Sequence, residues 1–254
     1  MITVDDVINW TLTEDQENHV RAHREQIVKT LEAVPPGDPK MRLLDMGSYL
    51  QMAPVCQFHL GYGEVLACIK GKGRRSAVVY SRDGKEFRCG VDNFDAEREP
   101  FPYENEFFDT VLCSEVLPFM QFDPMWMMYE INRITKMDGT LVLTSPNPNS
   151  IKAVWKVLNG FHPGTFPHYV ISGDPRLTRE YAAHELKDLI HVSGFGLVQL
   201  IGCNYVEPFN ETDLKLIEFM KKNWFPETNR EECLIIVAKK THKPQDRYPK
   251  WLYY

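Results

Sequence analysis

The sequence predicts an α/β protein: a doubly wound sheet of seven strands, mostly parallel, with an antiparallel last strand. The first observation is an alternation from Met41 to Ala238, where short apolar runs of strand length exchange with segments whose apolar residues recur at helical spacing. The second is one unit that reads complete. Phe108–Ser114 is a short apolar run, Asp123-Pro124 opens an amphipathic helix carrying Met128, Ile131 and Ile134, and Thr140–Thr144 is a second buried strand. Strand, helix and strand within that length make a right-handed βαβ unit. The third is the pair Leu197–Cys203 and Cys233–Ala238, which flank a helix at Asp213–Asn223 and read as antiparallel partners at one sheet edge.

In chain order, Met1–Leu12 is mixed and has no clear pattern. Thr13-Glu14-Asp15-Gln16 is a capping-box pattern that opens a helix to about Val34, with Val20, Ile27, Leu31 and Val34 inward. Pro35-Pro36-Gly37-Asp38-Pro39 ends it. The first strand is Met41–Met46, followed by the turn Gly47–Gln51 and a helix over Met52–Leu60. Glu64–Lys70 is the second strand, and the basic run Lys70-Gly71-Lys72-Gly73-Arg74-Arg75 follows it. Ser76–Tyr80 and Glu86–Gly90 form a hairpin about Asp83-Gly84, read as a small insertion. Asp138-Gly139 is expected to stop the helix of the βαβ unit. Helices are expected over Ser150–Leu158 and Arg179–Val192, the latter closed by Ser193-Gly194-Phe195. On the helix at 213–223, Leu214, Ile217 and Phe219 or Met220 should face inward. This divides the chain into a helical segment at 1–40, an α/β domain at 41–240 with a lid-like loop at 159–181, and a basic aromatic tail at 241–254.

Composition excludes several classes of function. A net charge of −6 argues against a dedicated nucleic-acid binder, and no apolar run approaches a membrane span. Met1–Trp10 lacks the basic start and apolar core of a signal peptide. Cys56, Cys68, Cys89, Cys113, Cys203 and Cys233 are scattered, with no two at metal-ligand spacing. They read as reduced, buried thiols of a cytoplasmic protein, and no metal is suggested.

The run D-A-E-R-E-P-F-P-Y-E-N-E-F-F-D-T-V-L-C-S-E-V-L from Asp95 to Leu117, with T-S-P-N at Thr144–Asn147, resembles the class I S-adenosylmethionine-dependent methyltransferases. The nearest likeness is to bacterial methyltransferases of polysaccharide and glycolipid biosynthesis. It covers roughly Arg42 to Phe195, with a fainter echo in the C-terminal R-Y-P-K-W-L-Y. The resemblance implies a Rossmann-like fold, S-adenosylmethionine as cofactor, and cofactor-binding roles for Asp45, Gly47, Ser48, Asp95, Ala96 and Ser114. Asp95 would accept from the adenine amine and Ala96 would leave room for the ring, with Asp92 as the rival. The family's glycine-rich turn is reduced here to L-L-D-M-G-S, with Tyr49 and Gln51 at the later glycine positions. Lys70 stands where an acidic residue would hold the ribose hydroxyls, and it has no acceptor. His19, Arg21, His23 and Arg24 make the N-terminal helix basic on one face, either solvated or in reach of a cofactor carboxylate.

On the acceptor side, Glu115 reads either as a general base or cofactor-side ligand, or as a structural carboxylate. Relatives follow S-E-V-L with Glu-His; here Pro118-Phe119 stands there. The loop Asn159–Tyr181 leaves the fifth strand at the same sheet edge. Its His162 and His168, with Tyr181, are the candidates for acid–base work near the methyl group. The expected function is methyl transfer to a hydroxyl of a saccharide-like or other small-molecule acceptor. The alternative is a degenerate methyltransferase-fold protein acting as a binding or partner subunit. A nicotinamide dehydrogenase is disfavoured, since no G-x-G-x-x-G follows the first strand. The aromatic tail should pack on the body of the protein or on a second subunit of a homodimer.

Overall fold

The computed structural model describes residues 1–47, 50–164, 179–246 and 248–253. Eight strands among them form one sheet: β1 Arg42–Met46, β2 Glu64–Ile69, β3 Gly73–Tyr80, β4 Glu86–Asn93, β5 Phe108–Ser114, β6 Thr135–Pro146, β7 Phe195–Cys203 and β8 Cys233–Lys240. Their order is β3-β4-β2-β1-β5-β6-β8-β7. Neighbours from β4 through β6 pair in parallel. The strand β3 is antiparallel to β4, and β8 is antiparallel to both β6 and β7.

The sheet therefore has eight strands where seven were expected. The Asp83-Gly84 hairpin is not an insertion outside the sheet. Its second arm, β4, runs past Gly90 to Asn93 and pairs in parallel with β2, Ala67 opposite Val91. Only β3 is added, as an edge strand. The antiparallel pair β7–β8 forms as expected, with β8 inside the edge and β7 outermost.

Helices cover both faces: α1 Val4–Ile8, α2 Glu14–Ala22, α3 Arg24–Ala33, α4 Ala53–Phe58, α5 Pro124–Ile134, α6 Ile151–Leu158, α7 Ala183–Val192 and α8 Glu211–Lys222. Alternation along the strands sorts the core into two layers. Leu44, Met46, Val111, Cys113, Leu141 and Leu143 pack with α5 and α7. Leu43, Leu112 and Val142 pack on the other face with Val20, Ile27 and Leu31 of the N-terminal helices.

The N-terminal helix is broken. Thr13 accepts from the Gln16 amide at 3.2 Å, so the cap forms, but Gln16 Oε1 accepts from the Leu12 amide and not from that of Thr13, so the capping box is not completed. The run then breaks at His23 (φ −123°, ψ 23°), which separates α2 from α3. A further short helix, α1, occupies the stretch with no clear pattern. The helix of the βαβ unit stops at Ile134 and not at Asp138-Gly139. Those two residues lie within β6, where Asp138 has φ +61° and the pairing with β5 shifts register. On α8 the buried apolar residues are Leu216 and Met220, while Leu214 and Phe219 are exposed. Of the residues expected inward, Met220 is buried and Ile217 packs against the same cluster, whereas Leu214 and Phe219 do not. The tail packs on the body, with Trp251, Leu252 and Tyr253 against the α5–α7 layer and Tyr253 donating to Asp123 at 3.1 Å.

Candidate functional site

Four adjacent parallel strands, β4, β2, β1 and β5, end on one side of the sheet, which is where open α/β sheets gather ligands. A cavity of about 1080 Å³ opens over those ends. Asp45, Met46 and Gly47 after β1, Cys68, Ile69 and Lys70 at the end of β2, Phe94, Asp95 and Ala96 after β4, and Ser114 and Glu115 after β5 all line it. Five of the six expected cofactor-side residues thus share one cavity; Ser48 lies outside the described residues. Asp92 does not line it. That carboxylate is turned to Arg74, 3.4 Å away, on the neighbouring strand.

Gly47 has φ +74°, and a Cβ there would meet Val116 Cγ2 at 2.6 Å. Only a residue without a side chain keeps this turn and the space beside it. Asp95 is held on both oxygens: Oδ1 accepts from the Glu97 amide at 3.0 Å and Oδ2 faces Lys70 Nζ at 3.4 Å. The loop carrying it is tied to β2, because the Phe94 amide donates to the Ile69 carbonyl at 3.2 Å.

Glu115 closes β5 with φ +57°. Its amide donates to Thr144 Oγ1 at 2.9 Å, and the Thr144 hydroxyl donates back to Oε1, also at 2.9 Å. Cys233 Sγ reaches the same oxygen at 3.4 Å. Burial pushes the Glu115 carboxyl up to about 7, against the hydrogen bonds from Thr144 and Cys233 and with a further rise from Glu180. A carboxyl poised there can both hold and release a proton near neutrality.

The other half of the cavity is roofed by the N-terminal helices through Trp10, Leu12, Gln16, His19, Val20, His23, Gln26 and Ile27, with Tyr205 at the side. The sequence reading of His19 and His23 left them on a basic face. The signal was their spacing of four, which puts both on one side of a helix. Nothing in the sequence pointed to Tyr205.

Of the remaining acceptor-side candidates, the two among the described residues, Tyr181 and His162, do not line the cavity. Tyr181 is 2% exposed and belongs to the α5–α7 core layer, where burial pushes its hydroxyl up to about 12. This corrects the expectation that it stands by the methyl group. His162 is exposed, and its Nδ1 accepts from the Gly164 amide at 3.0 Å. His168 and most of the lid-like loop, residues 165–178, lie outside the described residues. Where the described chain resumes, the Arg179 amide donates to the Pro118 carbonyl at 3.2 Å, next to Phe119 and Met120 of the cavity wall. Among the described residues no group of three or more His, Cys, Asp or Glu is placed to hold a metal ion, and no helix is long and apolar enough to cross a membrane.

The family described as a methyltransferase domain matches residues 64–143. Solved structures share the fold. A protein assigned as a methyltransferase, in complex with the Haloferax volcanii Trm112 methyltransferase activator, is 14% identical at a TM-score of 0.55, over 90% of this chain and 92% of that one. An S-adenosylmethionine-dependent methyltransferase from Archaeoglobus fulgidus is 16% identical at 0.54, over 85% and 93%. One from Mesorhizobium loti is 12% identical at 0.51, over 83% and 95%. No curated protein matches the sequence. The likenesses show the Rossmann-like α/β fold of the methyltransferases, and the domain match supports S-adenosylmethionine as the cofactor.

Proposed function

We propose that the protein is an S-adenosylmethionine-dependent methyltransferase acting on a hydroxyl of a saccharide-like or other small-molecule acceptor. The single observation that carries this is the convergence of Asp45, Gly47, Asp95, Ala96, Ser114 and Glu115 on one cavity. Its volume is just above the roughly 300–1,000 Å³ usual for small-molecule sites, which leaves room for a second molecule beside a cofactor.

The residues present fit the cofactor at two of three places. The Gly47 turn, closed by Val116 so that no Cβ is tolerated, brings backbone to the cavity beside the fully buried Asp45 carboxylate and suits the amino-acid end. Phe94, Ile69 and Ala96 with Asp95 make an apolar slot edged by one acceptor, suited to adenine. At the ribose position Lys70 offers donors only, and the nearest carboxylate is Asp95, which Lys70 itself holds. Bound there, S-adenosylmethionine supplies a methyl group on a sulfonium, so that the acceptor gains a methyl and loses a proton. The chain's own part is to align the acceptor with that group, exclude water and receive the proton. Glu115, near neutral and on the cavity floor, suits the last of these or the storage of that charge. The six free, buried thiols agree with a cytoplasmic placement.

A titration calorimetry experiment with S-adenosylmethionine and S-adenosylhomocysteine tests the reading. Both are expected to bind, and Asp95→Ala should weaken them by about 1–3 kcal/mol. Absence of binding to the folded wild type would leave the alternative, a partner subunit that has lost turnover. Lys70 in place of an acceptor favours that second reading, as does the likeness to a protein solved with an activator.

A further inference from the structure

We propose that the half of the cavity under the N-terminal helices is the acceptor subsite, and that His23 is the base that takes the acceptor's proton. This rests on the methyltransferase reading above. The break between α2 and α3 is what brings the residue in. His23 caps the end of α2 and precedes α3, and it lines the cavity with His19, Gln16 and Gln26.

Its tautomer follows from one contact. His23 Nδ1 lies 2.9 Å from the His19 backbone oxygen. A carbonyl only accepts, so Nδ1 carries the hydrogen, and in the neutral ring Nε2 keeps its lone pair. The ring is held on two further sides. His19 packs against it at 4.4 Å between centroids, and Tyr205 meets it edge-on at 5.2 Å. Burial and the neighbouring His23 lower the pKa of His19, so His19 adds no charge beside the base at neutral pH. The Glu25 amide donates to the Tyr205 carbonyl at 3.1 Å and Arg24 pairs with Glu207, which fastens the break to the chain after β7.

Tyr205 also connects this roof to the floor. Tyr205 lines the same cavity as His23 and Glu115, with its ring edge-on to His23. His23, Tyr205 and Glu115 therefore stand as roof, wall and floor of one space. The rest of the roof, Trp10, Leu12, Val20 and Ile27, is apolar, and the cavity's cations Lys70 and Arg75 come from the β2–β3 side. That lining selects a neutral hydroxyl compound with an apolar face. The balance is simple: a lone pair of the acceptor oxygen makes the new bond to carbon, the carbon–sulfur pair stays with sulfur, and the hydroxyl proton goes to Nε2 of His23.

The test uses the full chain, S-adenosylmethionine with a labelled methyl group, and catechol, 4-nitrophenol and methyl glycosides as acceptors. The wild type is expected to label at least one. His23→Gln should lose about 10²–10⁴ in turnover with cofactor affinity unchanged by calorimetry. His23→Ala should recover part of its rate on addition of imidazole, which a structural role would not produce. Independently of activity, nitrogen NMR of the imidazoles should show the Nδ1–H tautomer of His23. Retained turnover in His23→Gln, no imidazole rescue, or an Nε2–H tautomer overturns the base. A wild type that binds cofactor but labels none of these acceptors overturns the acceptor class, and one that binds no cofactor overturns the methyltransferase reading itself.

Discussion

Gly47 is the residue most exposed to a small change. Alanine there would carry φ +74° at a cost of about 1–2 kcal/mol and would also collide with Val116. Gly47→Ala should weaken S-adenosylhomocysteine binding tenfold or more in calorimetry. Adding Val116→Ala should restore only part of it, because the second change removes the collision and leaves the backbone strain. Glu115 gives a pH signature. Its folded pKa of about 7 stands above the ordinary 4.5, so the folded state holds its proton more tightly than the unfolded one. Its stabilising contribution is complete below about pH 4.5 and is lost as the pH rises through 7. Thermal unfolding should therefore show wild type losing stability between pH 5 and 8 more steeply than Glu115→Gln. The groups facing it, Thr144, Cys233, Tyr205 and Glu180, remain in that variant. Residues of this kind were legible in the sequence because they sit at strand ends, where local pattern and site coincide. His23 and Tyr205 were not, because their meeting is tertiary and separated by 182 positions in the chain, as Tyr205 less His23. Tyr181 misled for the opposite reason: the Arg179 amide bonds to the Pro118 carbonyl, one residue from Phe119 of the cavity wall, while the Tyr181 ring is buried in the core.

At the scale of elements, α3 is the brace of the cavity roof. Leu31 is fully buried against the sheet, and Leu31→Ala should cost about 2–5 kcal/mol in denaturant unfolding. Because α3 also anchors His23, the same variant should bind S-adenosylhomocysteine normally at low temperature and lose the acceptor half first on warming. The sequence located nearly every helix and strand of this layer pair, since apolar periodicity reports burial directly. It misplaced the end of α5 and part of the buried face of α8. Asp138-Gly139 has the composition of a helix stop, but Thr135 already pairs opposite Phe108, so the two residues form a bulge inside β6. Gly139 is required there for another reason: a Cβ would lie 2.8 Å from the Lys136 carbonyl oxygen. The face of α8 is met at Ile217 and Met220 and missed at Leu214 and Phe219, because its layer is a small satellite of Ile151, Leu216 and Met220, too few apolar residues to set a clear phase.

For the whole molecule, all six cysteines are free and buried. A thiol reagent should find almost none of them in the folded protein and six after denaturation, and rapid labelling of the native state would contradict the packing. Fold class was readable from the alternation of strand and helix; strand number was not, because a hairpin arm and a sheet strand look alike until their partner is known. One consequence of the strand order concerns synthesis. Since β7 pairs only with β8, and β8 lies between β6 and β7, a chain emerging from the ribosome has no berth for β7 until residues 233–240 are out. Until then Glu115 also lacks its contact with Cys233. The cofactor end of the cavity can take shape during translation, whereas the wall holding Tyr205 must wait for the last strand, so nascent chains arrested before Cys233 should hold a nucleoside but no acceptor.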